Sequence, residues 1–270
     1  EIGFREELRK QGVIKYFGGK VEFMHRGYMD GCDIALLVHT GGGDHPSIAL
    51  TPGSNGCVTK NINFVGVSAH AGGSPHLGVN ALYAASQAMN AANALRETFQ
   101  EKDTIRFHPI ITKGGGAVNA IPNDVRMESY VRAASIEAMQ SANEKVNRAI
   151  RGAAYMIGAE VEIQDMAGYL PLRQNRMLSA LFEQNAKQIA PDLSVEHGLT
   201  FCGSTDVGDL STLMPVIQPT ITGFSGAAHS RDFCITDPEQ AYITPAKLMA
   251  ATVIDLLADG ATYAQTLAKA

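Results

Sequence analysis

Residues 105–133, IRFHPIITKGGGAVNAIPNDVRMESYVRA, decide the fold. Ile105 to Thr112 and Val125 to Ala133 read as two strands, separated by the glycine-rich turn Gly114-Gly115-Gly116. Upstream, Asn61 to Ser68 alternates as a strand, and Ser74-Pro75 places a cap before a proline at the first helical position. That signal opens a long helix to about Phe99, with Leu77, Ala81, Ala85, Met89, Ala92 and Leu95 on one stripe. Downstream, Ser135 caps a second helix whose stripe is Met139, Ala142, Val146, Ala149, Ala153 and Ile157. Gly158 ends it, as glycine after a helix commonly does, and Glu160 to Met166 is a last strand. The order strand, helix, strand, strand, helix, strand is the ferredoxin-like arrangement. Many unrelated proteins contain such a unit, so it carries no function alone.

Outside this unit the rhythm is α/β. Gly3 to Gly12 reads as the end of an amphipathic helix, with Phe4 and Leu8 one turn apart. Val13 to Phe17 and Cys32 to Val38 read as strands, their apolar runs suiting a sheet covered on both faces. After Gly168 come a helix from about Asn175 to Ile189, a loop with Gly203-Ser204-Thr205-Asp206, a strand near Val216 to Thr222, and a final helix from Thr244-Pro245. The expectation is an α/β domain, residues 1–57 and 168–270, interrupted by a ferredoxin-like βαββαβ domain at 58–167.

With 270 residues the chain can form one large domain or two ordinary ones. Hydrophobic residues at 45% and charged residues at 18% suit a globular protein. The net charge of -5, with Lys and Arg scattered, argues against nucleic acid as a partner. No apolar run approaches bilayer length, and the charged first residues do not resemble a signal peptide, so no membrane partner is expected. Cys32, Cys57, Cys202 and Cys234 form no CxxC pair. The expectation is reduced thiols in a cytoplasmic protein, without structural zinc or a disulfide framework.

Three histidine segments could carry chemistry. His39 ends the apolar run Ile34 to Val38 and precedes Thr40-Gly41-Gly42-Gly43; the carboxyl end of a strand is where α/β sheets bind ligands. His229, in Ser225-Gly226-Ala227-Ala228-His229-Ser230, again follows a β-like run among small residues. Imidazole is a common metal ligand, but two are fewer than the three protein ligands of a catalytic zinc, and each could be an ordinary hydrogen-bonded histidine. His70 falls between a strand and a helix start in the inserted unit. Ser204, Asp206 and His229 follow the chain order of an α/β-hydrolase triad, but Gly203-Ser204-Thr205-Asp206 is not the G-x-S-x-G elbow, so a serine hydrolase is not expected.

Together these segments resemble the metal-dependent amidohydrolase and exopeptidase family of aminoacylase, hippurate hydrolase and p-aminobenzoyl-glutamate hydrolase. The matching pieces are Ile34–Thr40, Ser68-Ala69-His70-Ala71, Gly114 to Pro122 with Asn119, Arg132, Gly203-Ser204-Thr205-Asp206-Val207-Gly208-Asp209 (nearest to the B-type subunit of the last enzyme), and Ala228-His229-Ser230. They follow the family's order around the insert that serves it as lid or dimerisation domain. The resemblance implies that His39 and His229 each bind one ion of a pair of divalent metals (zinc or manganese, with cobalt a further option). It implies that His70 stabilises an oxyanion in the partner subunit's site, and that Asn119 and Arg132 hold the substrate, the guanidinium on its carboxylate. Ser204, Thr205 and Asp206 would line the pocket. The implied partners are a small carboxylate-bearing substrate and a second copy of the chain, joined through the lid.

The sequence departs from the family at one point. An upstream histidine or cysteine with an aspartate, and a Pro-x-Glu-Glu loop carrying the general base, are not found. The loop would follow Val13 to Phe17, so the expectation is a gap in the chain near Gly18-Gly19, with the other ligands preceding Glu1. The sequence therefore supports hydrolysis of an N-acyl amino acid, an aminobenzoyl-glutamate or a dipeptide; its rival is a catalytically inactive dimeric scaffold.

Overall fold

The computed structural model describes residues 2–43, 45–198 and 200–269. The chain divides into two compact units, Glu1–Ser54 with Leu172–Phe201 and Asp206–Ala270, and Asn55–Pro171 with Cys202–Thr205. In chain order, the first unit opens with α1 (Ile2–Lys10), α2 (Gly19–His25), β1 (Ala35–Leu36), β2 (His39–Gly42), β3 (Ser47–Ala49) and β4 (Gly53–Ser54).

The second unit follows as β5 (Gly56–Val65), α3 (Ala81–Ala94), β6 (Arg106–Phe107), β7 (Ile110–Lys113), β8 (Asp124–Ala133), α4 (Ile136–Ile157) and β9 (Glu160–Tyr169). Its sheet runs β6-β8-β5-β9, with β7 also on β8, and every pairing is antiparallel. This is the ferredoxin-like unit read from the sequence. The expected strand at 105–112 is interrupted around Pro109, which has no N–H to give to the ladder. Phe107 opposite Val131 and Ile110 opposite Glu128 keep one register across the break. Alternate residues of β5 and β8 (Ile62, Phe64, Val125, Met127, Val131) meet Ala81, Ala85 and Ala88 of α3 and Val146 and Ile150 of α4 in one core.

The end signals of α4 hold. The Ser135 hydroxyl accepts the Ala138 N–H, and Gly158 closes the helix in the left-handed region at φ 79, open to glycine without a Cβ clash. The start of α3 differs from the reading. Pro75–Leu77 forms only a 3-10 turn, and Leu77 is exposed. Val67 and Val79 exchange both backbone hydrogen bonds, at 3.0 and 2.9 Å, which holds the chain extended there. The helix begins instead at Asn80, whose side-chain oxygen accepts the N–H groups of Leu82 and Tyr83.

The first unit resumes as β10 (Leu172–Arg173), α5 (Arg176–Ile189), β11 (Ser194–Glu196), α6 (Val207–Leu210), β12 (Val216–Ile217), β13 (Thr220–Ser225), β14 (Cys234–Ile235) and α7 (Thr244–Ala268). Here β1 pairs in parallel with β12, and β2 with β13. β3 lies parallel to β11 and antiparallel to β13, and β14 completes an antiparallel hairpin. Ile48, Leu178, Phe182, Ile217, Ile221 and Leu248 form the core.

The expected strand at Val13 to Phe17 is absent. The N–H groups of Lys15 and Tyr16 both donate to the Glu22 carboxylate, at 2.9 Å each, instead of to a ladder. The Gly18 carbonyl accepts the Glu22 N–H at 2.9 Å, and α2 begins at the next residue. The helical run Glu239–Ala268 is long and apolar enough to cross a membrane by length and composition, contrary to the reading that no run approaches that length. It is broken by non-helical residues at Ala258–Ala261 and buries Leu248, Thr252, Leu256 and Leu267. All four cysteines are free thiols.

Candidate active site

His39 does not end a strand as the sequence suggested. It opens β2, level with Thr220, and its N–H donates to the Pro219 carbonyl at 2.8 Å. Its Nδ1 lies 2.8 Å from the Thr40 carbonyl. A carbonyl only accepts, so Nδ1 donates, and in the neutral ring the lone pair is on Nε2 of an exposed side chain. A ring N–H given to a carbonyl, with the other nitrogen left to ligate, is an arrangement that metal-bound imidazoles use.

His229 sits on the hairpin between β13 and β14. Stacked rings of Phe224 and Phe233, with centroids 5.4 Å apart, brace its base. Gly226, at φ 81, makes the close turn: a Cβ there would lie 2.4 Å from the Asp232 carbonyl oxygen. His229 itself adopts φ 66, in the left-handed region. For a residue with a Cβ this costs about 1–2 kcal/mol, and such positions concentrate at functional sites. Among the described residues no group of three or more His, Cys, Asp or Glu assembles that could hold a metal. The chain therefore contributes two exposed imidazoles in one unit, without a complete ligand set.

In the other unit His70 has the opposite tautomer. Its Nδ1 accepts the backbone N–H groups of Gly72 and Gly73, at 3.2 and 2.9 Å, which leaves the proton on Nε2. The segment is tied to the glycine-rich loop: Ala71 donates to the Asn119 carbonyl and Ile121 to the Ala69 carbonyl, both at 2.9 Å. Asn119 is therefore held beside His70 with its side chain exposed. Arg132, on β8, is opposite Cys57 on one side and Arg106 on the other, its guanidinium 5.2 Å from the Tyr130 ring centroid.

The Ser204 hydroxyl oxygen is buried with no hydrogen-bond partner among the described residues. Thr205 follows it on the same loop. Asp206 is engaged within its own unit, accepting the Lys20 ammonium at 2.7 Å and the Lys20 N–H at 3.0 Å.

Two charged groups escaped the sequence reading. Glu22 is buried; the Tyr16 N–H, with Arg26 and the Lys15 N–H, overrides its desolvation and holds its carboxyl at about 2. Its i,i+4 spacing to Arg26 was the available signal. Lys60, fully buried, meets Asp165 and Asn147 beneath α4. Burial pushes its ammonium down despite Asp165. Burial alone would raise Asp165, but hydrogen bonds from Lys60, Asn147 and Asn143 outweigh it and keep the carboxyl low.

Residues 53–155 match the model of a peptidase dimerisation domain. The match agrees with the motif resemblance, and the proteins to which the chain is similar are peptidases and amidohydrolases. It is similar to the Xaa-Arg dipeptidase of Mus musculus, 29% identical over 249 residues that cover 89% of this chain and 56% of that protein. It is also similar to the B-type subunit of p-aminobenzoyl-glutamate hydrolase from Escherichia coli, 30% identical over 218 residues, 72% of this chain and 44% of the other. A dinuclear metal-binding peptidase of the M20 family from Bacillus subtilis shares its fold, with TM-score 0.66 at 18% identity over 90% of this chain and 63% of that one. The chain spans about half the length of the curated relatives it matches.

Proposed function

We propose that the protein hydrolyses the amide bond of an N-acyl amino acid, an aminobenzoyl-glutamate or a dipeptide, with a divalent metal pair in the complete site. The observation that carries this reading is the contrast between two imidazoles. Nε2 of His39 is free to ligate, whereas Nε2 of His70 is a donor. Amide hydrolysis needs both kinds of group: ligands for the metal, and a donor toward the oxyanion of the tetrahedral intermediate.

In this reading His39 and His229 are metal ligands. A bound divalent metal supplies Lewis-acid polarisation and a water of lowered pKa; zinc, manganese and cobalt all suit imidazole with carboxylate ligands. His70 donates from Nε2 to the developing oxyanion, across a homodimer formed through the ferredoxin-like unit. Asn119 orients the amide, Arg132 holds the substrate carboxylate, and the Ser204-Thr205-Asp206 loop lines the pocket. The similar proteins named above differ at the recognised amino acid, arginine in one name and glutamate in the other.

The test is hydrolysis of p-aminobenzoyl-glutamate and a dipeptide panel, with and without chelator, and with Mn²⁺ or Zn²⁺ restored. Activity lost to the chelator and recovered with metal is the expected result. Absence of both turnover and metal binding would leave the inactive scaffold as the better reading.

A further inference from the structure

Arg106 of β6 stands directly opposite Arg132 of β8. In an antiparallel pair such residues share one face, with Cβ atoms about 4.5–5.5 Å apart. Their ladder neighbours Phe107 and Val131 are buried in the core, so both arginines project from the face away from α3 and α4. Like charges so placed repel. On the same strand the chain neutralises such charge, since Asp124 pairs with both Arg126 and Lys113.

Among the described residues no carboxylate meets Arg106 or Arg132. Arg106 donates to the Ile105 carbonyl at 2.9 Å and approaches the Cys202 sulfur at 3.7 Å. Arg132 lies over Tyr130. Cys202 begins the Cys202–Thr205 stretch that packs with this unit, and the same stretch carries the buried, unpartnered Ser204 hydroxyl.

We propose that Arg106 is a specificity-determining residue, forming with Arg132 a two-guanidinium clamp that selects an acidic amino acid as the carboxylate-bearing half of the substrate. The proposal rests on the amidohydrolase reading, which gives Arg132 the main-chain carboxylate. One carboxylate engages one guanidinium in bidentate fashion and leaves the other charge uncompensated. The second carboxylate of a glutamate or aspartate side chain meets it. A basic side chain would add a third cation beside the pair, so an Xaa-Arg substrate is disfavoured.

The experiment is calorimetric titration of the full chain with p-aminobenzoyl-glutamate and with p-aminobenzoyl-alanine, alongside the hydrolysis assay. It compares wild type, Arg106→Gln, Arg106→Lys and Arg126→Gln, the last a control for loss of one positive charge on this face. Arg106→Gln should weaken binding of the glutamate compound by roughly tenfold to a hundredfold, the worth of a charge-assisted hydrogen bond, and leave the alanine compound within about twofold. Arg106→Lys should restore part of the loss, and Arg126→Gln should alter neither. Equal loss for both compounds, no loss for either, or no binding to wild type overturns the clamp. If the glutamate-selective loss appears while no protein hydrolyses either amide, the clamp stands and the amidohydrolase reading fails.

Discussion

The two ring nitrogens of His70 divide its work: one is held by the Gly72 and Gly73 amides, and the other faces outward with its proton. His70→Ala should lower kcat by about 10²–10³, the cost of one lost oxyanion donor, with KM little changed. Steady-state kinetics on the metal-loaded protein reads this, and an effect confined to KM would remove His70 from the chemistry. Glu22 gives a pH prediction. Its carboxyl falls from the ordinary 4.5 to about 2 in the folded protein, so the unfolded state binds more protons between those values. Its contribution is complete above about pH 4.5 and is lost as the pH drops toward 2. Denaturant midpoints at pH 6 and pH 3 should converge in Glu22→Gln relative to wild type; an unchanged pH dependence would show that Glu22 is not responsible. The sequence revealed the identities of His39, His70 and His229 through their small-residue contexts. It did not reveal their tautomers, which depend on which backbone group each ring nitrogen meets after folding.

Elements with strong end signals were legible. Ser135 and Gly158 each act at the helix end that their chemistry marks. Short apolar runs were not, because four or five residues fit a strand or a loop equally well. Val13 to Phe17 became a loop once the Glu22 carboxylate captured its amides, an interaction set by α2, which the reading did not foresee. At the same scale, the cluster under α4 should be sensitive to loss of one partner. Asp165→Ala leaves Lys60 buried without its counter-ion and should cost about 3–5 kcal/mol, whereas replacing both by apolar residues should cost much less. Chemical denaturation of the single and double variants tests this, and equal losses would contradict it.

At the scale of the molecule, the core of the ferredoxin-like unit lies wholly within the unbroken run Asn55–Pro171, to which only Cys202–Thr205 is added from elsewhere. A fragment of residues 55–171 should unfold in a single cooperative transition followed by circular dichroism; a sloping, non-cooperative melt would mean that its core needs the rest of the chain. The other unit has no such independence, since β1 finds its neighbour β12 only about 180 residues later. That delay has a biosynthetic consequence. At about 5–20 residues per second on the ribosome, Ile34 to Val38 wait roughly ten to forty seconds for their partner strand. During that interval the intervening unit can fold on emergence. Its two connections to the other unit are then brought close by β4 and β10, which pair Ser54 with Leu172. Closing the large loop then costs little more entropy than closing a short one. The folded insert so shortens the effective loop that the half-sheet must close once its second half has been made.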